Sequence, residues 1–516
     1  MRFIFICSLY FISPILYAQR EATHWFFGSQ AGLYFNSNGP SPIYGSAMHT
    51  QDGCATMSDK QTGELLFYTN GRNVWNRNNL LMPNGQDFPD SCWSGITQSA
   101  LIVPFPNDES KYYLFSIYYT TTLDGSIFIE PNCNYGEYTT AMFRQVRYSV
   151  IDMTLDDGNG DVVVNQKQIL LQTNATEKIT VVPHANGSDY WIVTHAFNSN
   201  EFYVYQLTHS GIAEPNIIAI GSVHETRPDR INPDEETRGY MKASPNGKKL
   251  ACAVYSDKHS FDLFDFDATS GQISNYVNLG LLPAQYGISF SPDNSKLYVN
   301  EDDIHEPSVY PYPDVIAQYN LAAGDSQAIV ASRKSIFRDN PYTNIPGHGL
   351  FEGFGSYMGL QLAMDGKIYA TANNAYSTTP EVGNIMAIIE KPNEEGVNCQ
   401  VNYKQFDFGN AAVGSGLPNF IESYFNNIES STTCSEETSI SFFPNPTSNT
   451  VHINFLSGCD SHITITVFNV LGQQVATFES TEQETEIDIS AWSSGVYFFV
   501  CSTLYNHRIV KKIIKT

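Results

Sequence analysis

Three stretches of this chain combine residue types and spacings that could do chemistry. In "DDGNGD", Asp157, Asn159 and Asp161 alternate as the oxygen ligands of calcium loops do, and two carboxylates with an amide suit a hard cation such as Ca²⁺. Val162 stands where such loops carry glycine, and Gln168 where a bidentate glutamate would complete an EF-hand. An Asx/Gly turn between two strands is the competing reading. In "NEDDIHE", Glu301, Asp302, Asp303 and His305 form an acidic group that could hold a cation or a basic partner, or be a solvated loop. His184, His195 and His348 follow or end strand-like stretches ("VVPHANG", "WIVTHAF", "IPGHGLF"). A convergent trio would suit general-base work or metal ligation, whereas separated histidines would be hydrogen-bonded structural groups.

Aromatic residues in loop-like contexts, Trp75, Trp93, Tyr118, Tyr119, Tyr310 and Tyr312, could stack on sugar rings or peptides, although most aromatics of a β protein are core. The chain has no G-x-S-x-G elbow, H-E-x-x-H, P-loop or strand-to-helix G-x-G-x-x-G. "GSG" at Gly414 to Gly416 lacks the strand-to-helix context of a nucleophile elbow. These absences lower the expectation of the common hydrolases and leave open a site assembled from separated elements.

Such a site would have to be positioned by strands, because a helical period is almost nowhere sustained while short alternating apolar runs recur throughout. A unit of strand, Pro/Asn/Asp/Gly turn and second strand is clearest in "SPNGKKLACAVY", "SFSPDNSKLYVN" and "LAMDGKIYATA". Turns of this kind fall near Asp59, Asn107, Asn186, Asn246, Asp293 and Asp365, and "NG" at Asn70-Gly71 suits a type I′ hairpin tip. The spacing predicts an all-β body of radially repeated sheets, a β-propeller of seven blades, with six the alternative. The early "HWFFGSQAGLYFN" and the late "AAVGSGLPNFIESYF" would close the seventh blade by pairing. The unit resembles β-propeller repeats of the WD-like and TolB-like kind, without the WD dipeptide. "WFFGSQAGLYFN", "YSVIDMTLDDGNGDVV" and "GLPNFIESYF" together resemble secreted surface proteins of Bacteroidetes that accompany type IX secretion, a resemblance that implies fold and location and transfers no catalytic residue.

Composition agrees with an exported β protein. The 516 residues include 31 Tyr and 32 Phe, and 53 acidic against 28 basic residues give a net charge of −25, which opposes nucleic acid and anionic membranes as partners. Residues 1–18, "MRFIFICSLYFISPILYA", read as a signal peptide, and no other stretch is apolar enough for a transmembrane segment in the mature chain. Eight cysteines remain after the signal. Cys92 and Cys133, in polar loop-like segments, are the favoured disulfide pair, and Cys252, inside "KLACAVY", is expected to be a buried free thiol.

After the body, residues 19–425, a polar linker at 426–440 leads to a run of short strands at 441–516 that reads as a small Ig-like β-sandwich. Its motifs resemble the type A C-terminal sorting domain of type IX secretion: Pro444-Asn445-Pro446, the turn at Gly472, "SSGVYFFV" with Gly495 and Tyr497, and a basic last strand with Lys511, Lys512 and Lys515. The resemblance implies the type IX translocon as partner and the outer cell surface or exterior as destination. The expected function is a non-catalytic module that binds an extracellular glycan or protein. The alternatives are a structural component of the cell surface or gliding apparatus, and a metal-assisted, lactonase-like hydrolase or lyase.

Overall fold

A computed structural model describes residues 20–36, 39–86, 95–120, 143–228, 233–302, 314–338, 344–345, 349–350, 359–371, 384–426, 439–456, 463–470, 472–480, 484–503 and 508–516. The signal segment 1–18, most of the linker, and Cys92, Trp93, Cys133, Asp303, His305, Tyr310, Tyr312 and His348 lie outside the described residues. The chain divides into two compact units, Met1–Asn36 with Pro40–Ser430, and Ser431–Thr516 with Ser37–Gly39. Among the described residues no helix is long and apolar enough to cross a membrane.

The first unit is a succession of small antiparallel sheets laid down in chain order. The first is His24–Phe27, Ser29–Asn36 and Gly39–His49; the second is Ala55–Ser58, Leu65–Thr69, Asn73–Asn76 and Leu81–Gln86. The third and fourth share one long strand, Ile169–Pro183. It pairs with Phe143–Asp152 through its first half and with Tyr190–Ala196 through its second, so that nine strands from Ala100–Phe105 to Asn216–His224 are continuous. The fifth sheet runs from Met241–Ala243 to Gln272–Leu282, the sixth from Ile288–Phe290 to Lys334–Arg338, and the seventh from Leu360–Leu362 to Val401–Gln405. Interior strands such as Ile385–Ile389 are buried on both faces, whereas the fourth strand Gln272–Leu282 alternates with solvent.

All six repeated turns of the sequence form the first hairpin of a sheet, from the second sheet to the seventh. In the last three the physical reason is shared. Ser244 N–H donates to Lys249 O at 2.9 Å and Ser291 N–H to Lys296 O at 2.9 Å, while Ala363 N–H donates to Lys367 O at 2.9 Å. Inside each turn an Asx side chain accepts from the backbone N–H two residues on, at 3.0 Å for Asn246, 2.9 Å for Asp293 and 3.2 Å for Asp365. Gly247, Asn294 and Gly366 supply the positive φ. The Asn70-Gly71 hairpin differs from its expectation: Thr69 pairs with Val74, only Gly71 has positive φ, and Asn70 Oδ1 instead caps Arg72 and Asn73 N–H at 3.1 and 2.9 Å.

The first strands of successive sheets pack on one another in chain order: His24–Phe27 on Ala55–Ser58, that on Ala100–Phe105, and so on through Ile169–Pro183, Met241–Ala243, Ile288–Phe290 and Leu360–Leu362. The late segment meets the early one, as expected, but with only a single bridged position, Ala412, which exchanges hydrogen bonds with Ser29 at 2.8 and 3.0 Å. Beyond it the chain runs along the first strands. Ser415 accepts from Gly359 N–H at 2.9 Å, Asn419 N–H donates to Cys54 O at 2.8 Å, and the Phe420 ring lies 5.7 Å from Trp25. Gly416 is required here, because a Cβ would come within 2.5 Å of the Asp52 backbone.

The second unit has two sheets, Ser439–Phe443, Thr450–Leu456 and Glu484–Asp488 in one, and Gln474–Ser480, Ile463–Asn469, Gly495–Thr503 and Arg508–Lys515 in the other. Val451, Ile453 and Ile487 from the first meet Ile465, Val467, Tyr497, Phe499 and Ile513 from the second in one apolar core. The Pro-Asn-Pro turn ties the sheets: the Asn445 amide donates to Lys512 O at 2.8 Å and accepts from Ile514 N–H at 2.9 Å. Gly472 takes a φ of 75°, the Tyr497 hydroxyl donates to Ser493 O at 2.9 Å, and Lys511 and Lys512 are exposed.

Candidate functional site

The long strand Ile169–Pro183 changes partners between Ala175 and Ile179, and in that irregularity three consecutive polar residues, Thr176, Glu177 and Lys178, are fully buried. A bulge of this kind re-aims side chains and ends one ladder so that another can start. Glu177 becomes the centre of a charged cluster at the ends of several first strands. One carboxylate oxygen accepts from Arg144 Nη2 at 2.8 Å and Nε at 3.1 Å, and from the Tyr119 hydroxyl at 3.3 Å. The other accepts from Thr97 N–H and Oγ1, both at 2.9 Å. Arg144, itself 1% exposed, also pairs with Asp234 and lies 4.7 Å over the Tyr119 ring. Burial pushes the Glu177 carboxyl up, but the Arg144 and Arg238 cations and the Thr97 N–H outweigh it and hold the group below the ordinary carboxylate range.

Three further buried sets lie on the same strands. Lys178 Nζ donates to the carbonyls of Glu236, Thr237 and Arg238 at 3.4, 2.9 and 2.6 Å, and burial brings it down to about 8. The Asp52 carboxylate accepts from the Tyr286 hydroxyl at 3.0 Å, and burial raises it to about 7. Lys242 pairs with Glu422 of the late segment at 2.8 Å and donates to Leu360 O at 3.0 Å, both charged groups being at most 2% exposed. The Gln98 amide donates to Ile179 O at 3.0 Å, Met241 O at 3.2 Å and Asn419 Oδ1 at 3.1 Å, linking two first strands and the late segment. The two lysines are balanced locally, Lys242 by a carboxylate and Lys178 by carbonyls, whereas Asp52 faces a neutral hydroxyl.

The residues singled out in the sequence have other places. Asp161 is buried and accepts from Asn84 N–H at 2.8 Å and its amide at 2.6 Å, Asn159 accepts from the Asn78 amide at 3.0 Å, and Asp157 is exposed at a φ of 53°. Asp161 and Asn159 therefore fasten the third sheet to the second, and Asp157 lies on the exposed turn before them. Among the described residues no three His, Cys, Asp or Glu gather as a metal ion would need. Glu301 is buried in an ion pair with Arg333, and Asp302 ends its strand opposite Asp314.

His184 lies beside the start of the strand Tyr190–Ala196, its N–H donating to Asp189 O at 2.8 Å, and His195 lies near that strand's other end, about 20 Å away, so the two are not brought together. His184 lies against the Trp191 ring at 5.1 Å. His195 stacks instead on His224 at 3.9 Å, with His259 at 5.7 Å from His224. Trp75 and Tyr118 are core residues, Trp75 stacked on Tyr68 at 5.4 Å and Tyr118 donating to Gly71 O at 2.8 Å, whereas Tyr119 joins the charged cluster. Cys252 is a buried free thiol, as are Cys54, Cys399 and Cys501.

Sequence reasoning missed Arg144, Glu177, Lys178, Asp234, His224, His259 and the Lys242–Glu422 pair. The one available signal was "TEK" set inside an apolar strand run, where charged residues have no solvent face to turn to.

Among curated proteins none is significantly similar to this chain. Solved structures give broad but shallow likenesses. One, from Bacteroides uniformis and provisionally described as a 6-phosphogluconolactonase, is 12% identical with a TM-score of 0.36 over 96% of this chain and 100% of its own. The periplasmic gluconolactonase of Pseudomonas aeruginosa is 9% identical with a TM-score of 0.34 over 90% and 99%. The hydrazine synthase of Kuenenia stuttgartiensis is 10% identical with a TM-score of 0.34 over 74% and 80%. Likenesses of this size carry no argument about activity. Residues 441–516, in contrast, match the family described as the secretion system C-terminal sorting domain. The chain thus carries the C-terminal address of type IX secretion, which directs it to the cell surface or the extracellular space.

Proposed function

We propose that the first unit is a seven-bladed β-propeller, exported by its Ig-like tail, that acts outside the cell as a non-catalytic module binding a glycan or protein. Packing of the seven first strands in chain order, with the late segment meeting the early one, supports radial closure. The observation that carries the binding reading is the mutual satisfaction of the buried ion pairs: Arg144 with Glu177 and Asp234, and Lys242 with Glu422. A general base or nucleophile has to keep a lone pair aimed at substrate. Groups held by protein partners on every side serve a rigid scaffold, which leaves recognition to the surface.

The test uses the secreted protein on glycan and extracellular-protein arrays, alongside panels of lactones, glycosides and peptides. Saturable binding to one class without turnover is the expected result. Turnover of any panel member that Glu177→Gln or Asp52→Asn abolishes would overturn the reading in favour of an enzyme.

A further inference from the structure

The seam between the fourth and fifth sheets holds three histidines. His195 ends the strand Tyr190–Ala196, His224 ends Asn216–His224, and His259 starts His259–Asp267. His195 and His224 are each 1% exposed, and their rings stack at 3.9 Å and 21°. His195 Nδ1 faces Ala196 O at 2.7 Å and so carries its proton there. His224 Nδ1 is buried without a hydrogen-bond partner. The His259 ring stands edge-on to His224, with Nδ1 facing Ser260 O and Nε2 facing Val223 O, both at 3.1 Å.

The charged groups around the stack leave little room for more positive charge. From the long strand comes the buried Lys178 ammonium, fixed by three carbonyls. From the segment before the fifth sheet comes Glu236, 2% exposed, already accepting from Glu225 N–H at 2.8 Å, Ser256 Oγ at 3.1 Å and Arg227 Nη1 at 3.3 Å, with His259 Nε2 at 3.6 Å. From the fifth sheet come the neutral Cys252 thiol and Asp262, whose carboxylate accepts from Ser222 N–H at 3.0 Å. The Arg144–Glu177 pair beyond Lys178 is internally balanced.

We propose that this seam is an acid-operated joint: protonation of the His195–His224 stack drives its two rings apart and frees the end of the strand Asn216–His224 together with Glu225–Arg227 from the strand Ser199–Thr208 of its own sheet. Two imidazolium rings at stacking distance repel each other and the Lys178 cation, and the facing carboxylate is already filled. Burial holds His195 down to about 3 and His224 well below the ordinary range, so the closed seam rejects protons that the opened seam binds at about 6.5. The opened state therefore binds more protons between these limits. Opening is suppressed above about pH 6.5 and increasingly favoured as pH falls toward 3.

The experiment is hydrogen exchange by mass spectrometry on the full secreted protein at pH 7.5 and 4.5, corrected for intrinsic rates. At pH 4.5 peptides covering His195 and Asn216–Arg227 should lose about tenfold or more in protection, while peptides of Ala100–Phe105 hold theirs. The double variant H195F/H224F, which keeps stacked rings that cannot titrate, should show less than a twofold change. Unchanged protection in the native protein, or an equal acid loss in the variant, overturns the joint. Should the double variant fail to melt cooperatively at pH 7.5, His224→Phe alone is read in its place: an acid loss smaller than the native one supports the joint, and an equal loss overturns it.

Discussion

Replacing Arg144 by methionine probes the buried cluster most directly. Methionine keeps much of the side-chain volume but removes the cation that Glu177 and Asp234 share. Glu177 is then left fully buried with Thr97, Tyr119, a long contact from Thr237 and the more distant Arg238 to stabilise its charge. Breaking a buried pair at one partner costs about 3–5 kcal/mol, mostly the penalty of the stranded charge. Unfolding entropy of about 2.1 cal/mol/K per residue over roughly 400 residues is about 0.8 kcal/mol/K, so the melting temperature should fall by about 4–6 °C. The double variant Arg144→Met with Glu177→Leu should regain at least half of that loss, because the fully buried charge is then gone and only Asp234, whose side chain is partly exposed, has lost its partner. Differential scanning calorimetry, followed by urea titration, reads both. A fall below about 1 °C for the single variant would mean that the cluster is open to water, and would refute the argument that these groups serve the scaffold.

Three other outcomes follow from particular contacts. Burial raises the Asp52 carboxyl to about 7, so the folded protein binds more protons than the unfolded chain between about pH 4 and 7, and stability from this group falls as pH rises through that window. Asp52→Asn should accordingly gain on the native protein by about 3 kcal/mol between pH 5 and 8, in paired urea titrations; a difference independent of pH contradicts it. Gly416→Ala should cost about 3 kcal/mol or abolish a cooperative melt, since its Cβ meets the Asp52 backbone, which cannot swing aside as a side chain can. In the tail, Asn445→Ala removes both bonds to the last strand and should destabilise that unit by about 2 kcal/mol, with a matching fall in protein found outside the cell by immunoblot.

The turns were legible because their determinants are local. An Asx side chain capping the N–H two residues on, with Gly or Asn at positive φ, is written within six residues at Ser244–Lys249 and Ser291–Lys296. Part of the tail was legible for the same reason, since Gly472 and Tyr497 act within a few residues, whereas Asn445 acts on the last strand, 67 and 69 residues on. Two local readings failed at the finer level. Asn70-Gly71 became a capped four-residue connection once Asn70 turned its side chain onto Arg72 and Asn73, and the late segment bridged the early one at a single position before turning along the first strands.

The sequence by itself determined an all-β chain, its repeated hairpins, and a C-terminal export address, all set by period-two patterning and turn chemistry. Tertiary structure alone decided which polar groups meet. Arg144 reaches Glu177 across 33 residues and Asp234 across 90, and Tyr286 reaches Asp52 across 234. His195 finds His224 instead of His184 for a related reason: a strand carries its two ends about 20 Å apart, while sheet pairing brings distant strand ends side by side. Charge pairing in the interior depends on sheet order and strand register, and neither is encoded within the span of any one motif.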